Sequence, residues 1–399
     1  MFTHESVPSN TTGQGGLLAG KKVVIQPNMS ARGWITDAGS LALEGFIALE
    51  DATVVTRLKE AGAILTGSTC MSELGFGLTG DTGVQVLSAG EADIALITDT
   101  MGEARVAAST SGMFAFKPSF GIVSRYGLIG LIPSMECYGI LSKNLEDIIT
   151  AVRVIAGKDE NDFSMPEEQL LDFNNLGLPS EKAHVIGVIR ECTDMLKDRE
   201  VKAFRAGLER LEKAGLAVKE INLERYNLFR VVHNVVGSVE ASSSAGKYDG
   251  VRYGHRSASG KNWNDMYLNS RGESFGPLIK AYLFQGAYFQ FENYPAFENA
   301  CRIRRSLVQD AIDLFNDVQM LAFPTRRIVC GAAKAATINA TYDAFTFTLP
   351  ANITGQPSLQ IPSIAEDSGD DLGLQLVSPR LQDGSLLGLG MQLLSLLQG

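Results

Sequence analysis

Two neighbouring stretches carry most of the information in this sequence: Ile97-Thr-Asp-Thr-Met-Gly-Glu-Ala-Arg-Val-Ala-Ala108 and Phe116-Lys-Pro-Ser-Phe-Gly-Ile-Val-Ser-Arg-Tyr-Gly-Leu128. Other motifs flank them on both sides. Upstream lie Leu18-Ala-Gly20 through Asn28, and Asp51 to Met71. Downstream lie Glu240-Ala-Ser-Ser, Tyr248-Asp-Gly-Val-Arg-Tyr-Gly254, Phe323-Pro-Thr325, Thr348-Leu-Pro-Ala-Asn-Ile-Thr-Gly355 and Leu372-Gly-Leu-Gln-Leu. The motifs extend over roughly residues 17–398, so they bear on almost the whole chain.

The upstream segments predict alternating strands and helices. Lys22-Val-Val-Ile25 is a short β-prone run. Residues 51–62 have the apolar spacing of an amphipathic helix, with Asp51 as the expected N-cap and Gly62 as its end. Ala63-Ile-Leu65 follows as a buried strand. Strand, helix and strand in this order predict a βαβ unit.

The same succession returns between residues 184 and 221, with a helix expected over 199–214. An aromatic, helical segment over about 223–300 is expected to form a cap, and the last third returns to strands. We therefore predict an α/β fold: one domain over residues 17–399 with a mixed β-sheet flanked by helices. Residues 1–16 are expected to be a polar lead-in.

Composition excludes several classes of protein. Lys+Arg 35 against Asp+Glu 45 gives a net charge of −10, which argues against direct binding of nucleic acid because phosphate contacts need clustered cations. No apolar stretch reaches the length of a membrane span. The five cysteines are scattered and odd in number, which is typical of a reducing cytoplasm. The four histidines are isolated, so we expect no metal and no cofactor. These features predict a soluble, cytoplasmic protein.

The motifs resemble those of the amidase signature family, and most closely those of amidotransferase A subunits that act on glutamyl-tRNA(Gln) or aspartyl-tRNA(Asn). In that family the two central stretches have the pattern G-S-D-T-G-G-S-I-R-x-P-A and G-L-K-P-T-Y-G-R-V-S-R-Y-G. The motif order is the same here. The resemblance implies the amidase signature fold, and it implies amide cleavage or transfer by a Ser–cis-Ser–Lys triad. In such a triad a neutral lysine deprotonates a bridging serine, which relays to the nucleophilic serine.

The resemblance also identifies the triad positions, and each carries a different residue. Gln26 stands at the lysine of V-K-D-N, and an amide has no usable basicity near neutral pH. Glu103 stands at the nucleophilic serine of G-G-S-I-R, where an anion would repel the developing oxyanion. The bridging serine belongs to a Gly/Ser-rich segment that is shortened here to about residues 79–86, with Gly83 the nearest match. No intact catalytic residue is therefore expected at these positions.

Two substrate-binding positions match the family better. Tyr253 corresponds to a tyrosine that contacts glutamine, and Arg304 to an arginine that holds the substrate carboxylate. Either residue could instead be inherited scaffold. An acidic residue that would hold the substrate amino group aligns with Phe345, which argues against free glutamine as the ligand.

These observations predict a catalytically inactive relative of the amidotransferase A subunits that serves as a structural or regulatory partner in an amidotransferase-type complex. One alternative is an active amidase or glutamine amidotransferase with rewired residues, in which Glu103, Asp99 and Glu136 form a carboxylate cluster. In that alternative Cys137 or Cys70 could supply a nucleophile. Another alternative is a non-catalytic sensor of a small amide or carboxylate.

The resemblance also implies protein partners. Amidotransferase A subunits work with a B subunit, which binds tRNA, and with a small C subunit. The expected partners are therefore B- or C-type subunits, or an active A-type relative. No direct contact with nucleic acid or membrane is expected.

Overall fold

The computed structural model describes residues 2–5, 15–77, 82–166, 185–328, 337–362 and 372–398 of the 399-residue chain. The strands in this part are β1 Phe2–Glu5, β2 Lys22–Ile25, β3 Ile64–Thr69, β4 Ile94–Thr98, β5 Phe114–Lys117, β6 Tyr138–Ser142, β7 Val185–Ile189, β8 Ala217–Ile221, β9 Met320–Pro324, β10 Ser358–Ile361 and β11 Leu374–Val377. The helices are α1 Thr53–Glu60, α2 Gly83–Ser88, α3 Glu103–Ser109, α4 Leu145–Ile155, α5 Arg190–Thr193, α6 Asp198–Lys213, α7 Leu228–Ser244, α8 Trp263–Ser274, α9 Pro277–Ala287, α10 Tyr294–Leu314, α11 Ile338–Ala344, α12 Leu349–Thr354 and α13 Asp383–Gln398.

The described strands form a single mixed sheet in the order β1-β3-β2-β4-β6-β5-β10-β11-β9-β7-β8. β2 pairs in parallel with both β3 and β4, and β7 pairs in parallel with both β8 and β9. The centre of the sheet, from β4 through β6, β5, β10 and β11 to β9, is antiparallel. The predicted α/β fold with a mixed sheet flanked by helices is confirmed, as is the βαβ unit of β2, α1 and β3.

Apolar side chains cover both faces of this sheet. In β4, Ile94 and Leu96 belong to the same core cluster as α1, α4, α6 and α13, whereas Ala95 and Ile97 belong to a cluster with α2 and α3. A third cluster joins β9 to helices α7, α9 and α10. Because successive residues of a strand point to opposite faces, a run of five buried residues such as β4 indicates a strand covered on both sides.

One local prediction was wrong. Helix α1 begins at Thr53 after Ala52, so the predicted N-cap Asp51 lies just outside the helix and caps nothing. Its Oδ1 instead accepts a hydrogen bond from the backbone N–H of Arg32 at 2.7 Å, and its Oδ2 lies 2.7 Å from the ammonium of Lys59. Arg32, from another segment, and Lys59, from the last turn of α1, thus hold the carboxylate that the first turn of the helix would otherwise use.

The two segments set apart by the sequence have structure of their own. Within the predicted lead-in, Phe2–Glu5 forms the edge strand β1, antiparallel to β3, and residues 6–14 lie outside the described part. The segment of about 223–300 contains α7, α8, α9 and the beginning of α10. None of the helices in the described part of the chain could span a membrane.

The parallel pairing of β2 and β4 positions the candidate site. The carboxyl ends of parallel neighbours lie at the same edge of a sheet, where the chain leaves for its next element. Gln26 directly follows β2, and its backbone N–H donates to Leu96 of β4 at 3.2 Å. The turn after β4 leads into α3 and brings Glu103 to the same edge.

Candidate functional site

The turn between β4 and α3 is held by contacts from distant parts of the chain. Gly102 has a φ of 123°, and a Cβ at this position would come within 2.1 Å of the hydroxyl of Thr348, so glycine is required. The Thr348 hydroxyl donates to the carbonyl of Met101 at 2.5 Å, and the Nε2 of His233 donates to the carbonyl of Thr100 at 3.2 Å. The backbone at the start of α3 is thus fixed from two sides.

A buried ion pair anchors this turn to the helix that follows it. Asp99 and Arg105 have fully buried side chains, and a guanidinium nitrogen lies 2.7 Å from Asp99 Oδ1. Arg105 also donates to the side chains of Asn352 at 2.5 Å and Gln375 at 2.9 Å. Asn352 in turn donates to the backbone carbonyl of Asp99. The predicted candidate Asp99 is therefore engaged in a structural network.

Glu103 folds back over the turn from the first position of α3. Its Oε2 accepts hydrogen bonds from the backbone N–H groups of Met101 at 2.8 Å and Gly102 at 3.1 Å. Its Oε1 is buried and has no hydrogen-bond partner among the described residues. Burial, followed by the nearby charge of Asp99, raises the pKa of this carboxyl to about 8, and the two amide hydrogen bonds only partly oppose the rise. Glu103 is therefore mostly protonated at neutral pH.

Gln26 faces the same edge from the end of β2. Its side chain is 3% exposed, and its Oε1 accepts hydrogen bonds from the backbone N–H and the hydroxyl of Thr98, at 2.8 and 2.9 Å. The amide oxygen is thus turned onto the neighbouring strand. A primary amide in this position orients the strand end but does not accept a proton at physiological pH.

A cavity of about 250 Å³ lies between these elements. Its walls include Gln26, Thr98, Glu103 and Phe345, together with Gln85 of α2 and Ser111 after α3. Glu103 is the one ionisable side chain among the described residues that line it. Gly83, the first residue of α2, is not among the lining residues, and residues 79–81 of the predicted Gly/Ser-rich segment lie outside the described part.

No group of three or more His, Cys, Asp or Glu side chains within the described ranges has the arrangement of a metal site. The candidate site is a cavity at a sheet edge, next to a fixed turn whose amides donate to Glu103.

Comparison with known proteins identifies the family of this chain. A family model described as Amidase matches residues 4–86 and 83–387, which together cover nearly the entire chain. The chain belongs to the amidase family.

Several curated proteins match more than nine-tenths of this chain. The A subunit of the glutamyl-tRNA(Gln) amidotransferase from a Cyanothece strain is 32% identical over 92% of this chain and 82% of its own length. Its counterpart of the same name from Haloarcula marismortui is 32% identical over 95% of this chain and 96% of its own length. The predicted resemblance to amidotransferase A subunits is confirmed at the level of sequence.

Solved structures confirm the amidase signature fold. The A subunit of the glutamyl-tRNA(Gln) amidotransferase from Thermotoga maritima superposes with a TM-score of 0.78, covering 97% of this chain and 85% of that one at 23% identity. A protein described as part of a vestigial complex at the origin of an s-triazine catabolic enzyme gives a TM-score of 0.80, with 96% and 84% coverage at 23% identity.

The two residues expected to bind substrate, Tyr253 and Arg304, do not line the cavity. The guanidinium of Arg304 donates to the hydroxyl of Ser134 at 2.6 Å and to its carbonyl at 2.8 Å. Tyr253 is half-buried and packs edge-on against Phe46, with ring centroids 5.7 Å apart. Neither residue is among those lining the cavity beside Glu103, whereas Phe345 is. The arginine is thus engaged by the protein's own polar groups.

The side chains that the sequence offered as alternative catalytic groups, Cys137, Glu136 and Cys70, also lie away from the cavity walls. Cys137 is 7% exposed, its Sγ lies 3.5 Å from the carbonyl of Pro118, and burial raises the pKa of its thiol. Glu136 accepts from the backbone N–H of Leu131 at 3.1 Å, and burial raises the pKa of its carboxyl. Cys70 is half-buried after β3, and its backbone N–H donates to the hydroxyl of Thr82. None of the three is among the residues that line the cavity beside Glu103.

A hydrogen-bonded chain behind the turn has no signal in the sequence. Because Nε2 of His233 donates to a carbonyl, its Nδ1 must accept from the hydroxyl of Tyr342 at 2.9 Å. The Tyr342 oxygen then accepts from Tyr282 at 2.9 Å. Burial lowers the pKa of His233 to about 4, so the ring is neutral. The sequence shows only an isolated histidine here, because its partners come from α9 and α11.

Proposed function

We propose that this chain is a non-catalytic amidase-family protein that acts as a structural or regulatory partner in an amidotransferase-type complex. The observation that carries the proposal is the position of the Glu103 carboxyl group, whose Oε2 accepts from both Met101 N–H and Gly102 N–H.

In the family, glycine-rich backbone N–H groups beside the nucleophile are expected to stabilise the oxyanion of the tetrahedral intermediate. An oxyanion must lie about 2.7–3.1 Å from its donors to be stabilised. Here that place is taken by Glu103 Oε2, at 2.8 and 3.1 Å from the two nitrogens. An amide substrate would have to displace the carboxyl group before those donors could act. Losing one oxyanion donor already lowers turnover by about 10² to 10³.

The residues at the other triad positions support the same conclusion. Gln26 offers an amide where the family has a lysine, and its oxygen is hydrogen-bonded to Thr98. Gly83 has no side chain to relay a proton. A triad acts as a unit, so the loss of the base and of the relay each remove most of its effect.

The relatives support a protein partner. The curated proteins matched over more than nine-tenths of this chain are named as subunits, and one solved structure with the same fold is described as belonging to a protein complex. We therefore place B- or C-type subunits, or an active A-type relative, as the candidates.

A second candidate function is an amidase with rewired chemistry, and one observation favours it. The pKa of Glu103, at about 8, is in the range expected of a general base that works near neutral pH. The other groups that the sequence offered for catalysis are not free to act with Glu103. Asp99 is paired with Arg105, and Cys137 is buried and has a thiol with a raised pKa. Neither group is therefore available as a nucleophile that Glu103 could activate.

Ammonia release separates the two candidates. The purified chain is incubated with glutamine, asparagine and simple aliphatic amides, beside an intact amidase as the positive control. Release at the background rate supports the non-catalytic protein. Release that persists in Glu91→Gln, an exposed control, but disappears in Glu103→Ala or Cys137→Ala would establish the rewired enzyme.

The partnership is tested on protein purified gently from its own cells. Native mass spectrometry of the tagged chain should show a stoichiometric complex with a second polypeptide. A chain recovered only by itself would remove the main support for the partner role.

A further inference from the structure

Helix α9 carries apolar side chains on two opposite faces. On its inner face the ring of Tyr282 stacks on Phe76, with ring centroids 4.1 Å apart, and a Cβ at Gly286 would clash with the carbonyl oxygen of Ser238 in α7. On its outer face the side chain of Phe284 is 74% exposed. A surface helix normally presents polar side chains to water on the face away from the core, so the outer face of α9 departs from that rule.

The exposed apolar residues of this helix form a stripe. They recur at alternating spacings of four and three residues, which places them on one side of a helix. The helix extends beyond α9 through the π-helical turn Tyr288–Glu292, so residues 277–291 span roughly 20 Å. The stripe consists of Pro277, Ala281, Phe284, Tyr288, Phe291 and, at the first position of α10, Tyr294.

The area of this aromatic stripe is large enough for a specific interface. Phe284 and Phe291 are each 74% exposed, Tyr288 is 52% exposed and Tyr294 is 53% exposed. At about 200 Å² for one aromatic side chain, these four rings expose roughly 500 Å². Exposed apolar patches above a few hundred Å² mark interaction sites. Two such patches in contact would bury about 1,000 Å², which is the area that a specific protein–protein interface needs.

The charges of the segment favour a second copy of the same chain as the occupant. Residues 277–294 carry two charged side chains, Lys280 near one end and Glu292 near the other. An antiparallel copy therefore brings the positive end of one stripe beside the negative end of its partner, whereas a parallel copy brings like charges together. A membrane surface is a poorer match, because anionic lipids attract clustered Lys and Arg and this segment has a single cation.

The side chains of the stripe are also complementary to themselves in that orientation. With a two-fold axis between Phe284 and Tyr288, each of these rings lies opposite the other ring of the second copy. The small Ala281 then lies opposite the large Phe291, which leaves room for the phenylalanine ring. We propose that the aromatic stripe packs against the same stripe of a second copy, with the two helices antiparallel across a two-fold axis.

Sedimentation-velocity ultracentrifugation of the purified full chain tests this dimer over about 1 to 100 µM, a range that covers an interface of micromolar affinity. We expect twice the mass of one chain at the upper end of the range. Phe284→Glu and Phe291→Glu should each weaken the dimer at least tenfold, because each buries an unpaired charge at the centre or end of the stripe. The control Phe163→Glu replaces an aromatic residue that is 97% exposed in the loop after α4, and it should leave the dimer unchanged.

Cysteine cross-linking tests the orientation. Residues 281 and 291 lie roughly 15 Å apart along one helix, so a disulfide between them cannot close within one molecule. Under mild oxidation the double variant Ala281→Cys/Phe291→Cys should form covalent dimers. Ala281→Cys by itself is the matched control, and it should form no more of them than the wild type does, because the two copies of residue 281 lie on opposite sides of the axis.

Three results would overturn the proposal. They are the mass of one chain throughout the concentration range, dimers of equal strength in wild type and Phe284→Glu, or equal cross-linking by Ala281→Cys and the double variant. A chain of single mass that floats with phosphatidylserine vesicles, and loses this binding in Phe284→Glu, would assign the stripe to a membrane surface instead. The inference is independent of the proposed partnership, because a dimer of identical chains and a complex with a different polypeptide have different masses.

Discussion

Replacing Glu103 by glutamine should stabilise the protein at alkaline pH. The pKa of this carboxyl is raised from its usual 4.5 to about 8 in the folded chain. Between these values the folded state holds one more proton than the unfolded state, so the free energy of unfolding falls as pH rises. The slope is about 1.4 kcal/mol per pH unit, which gives a loss of about 3 kcal/mol between pH 6 and pH 9. Glutamine cannot ionise, and its carbonyl oxygen can still accept from Met101 and Gly102.

Urea unfolding followed by tryptophan fluorescence measures this effect at pH 6, 7, 8 and 9. Other titrating groups act equally in both proteins, so the difference between wild type and Glu103→Gln isolates Glu103. We expect the difference to grow by about 3 kcal/mol in favour of the variant and to flatten above pH 8. Exposed Glu91→Gln should show no such trend. A difference that stays constant across this range would refute the conclusion that Glu103 is buried and protonated at neutral pH.

Three further outcomes follow from the surroundings of the site. Arg105→Leu leaves Asp99 buried without a cation and should lower the free energy of unfolding in urea by about 3–5 kcal/mol, whereas a loss below about 1 kcal/mol would show that the pair is dispensable. Gly102→Ala should lower the free energy of unfolding by more than about 3 kcal/mol, because of the φ of 123° and a clash with a neighbouring side chain. Gly112→Ala, which meets no such clash, should lower it by about 1–2 kcal/mol. Equal losses for the two variants in melting experiments would contradict this. The unfolded chain protonates His233 as pH drops from 6.5 to 4, whereas the folded chain keeps it neutral, so this residue should lower the free energy of unfolding by about 3 kcal/mol over that range. In His233→Phe, urea unfolding at the two pH values should show a fall that is smaller by this amount.

Short-range patterns in the sequence were sufficient to predict many of the strands and helices of the fold. β2 occupies Lys22–Ile25 as predicted, and α6 at Asp198–Lys213 lies within one residue of the predicted helix. Apolar periodicity and a terminal glycine act locally, so they can be read without the tertiary structure. The prediction for Asp51 failed because its carboxylate is held by Arg32, from another segment, and by Lys59, from the last turn of α1, rather than by the N–H groups of the first turn.

The candidate site was only partly accessible to the same reasoning. The motif order located Gln26 and Glu103, which meet at one sheet edge because β2 and β4 are parallel neighbours. It could not show that Glu103 would turn back onto its own backbone, or that Arg304 would be held by Ser134. The first contact depends on the direction of the Glu103 side chain, and the second joins segments more than a hundred residues apart.

The sequence by itself determined the family, the α/β architecture and the residues at the expected catalytic positions, because these follow from chemical identity and local order along the chain. The tertiary structure decided the ionisation of Glu103, which depends on burial and on the nearby Asp99. It also decided that His233 lies behind the turn, joined to Tyr342. A pKa is set by the dielectric surroundings and charges in three dimensions, so no pattern of neighbours along the chain can fix it.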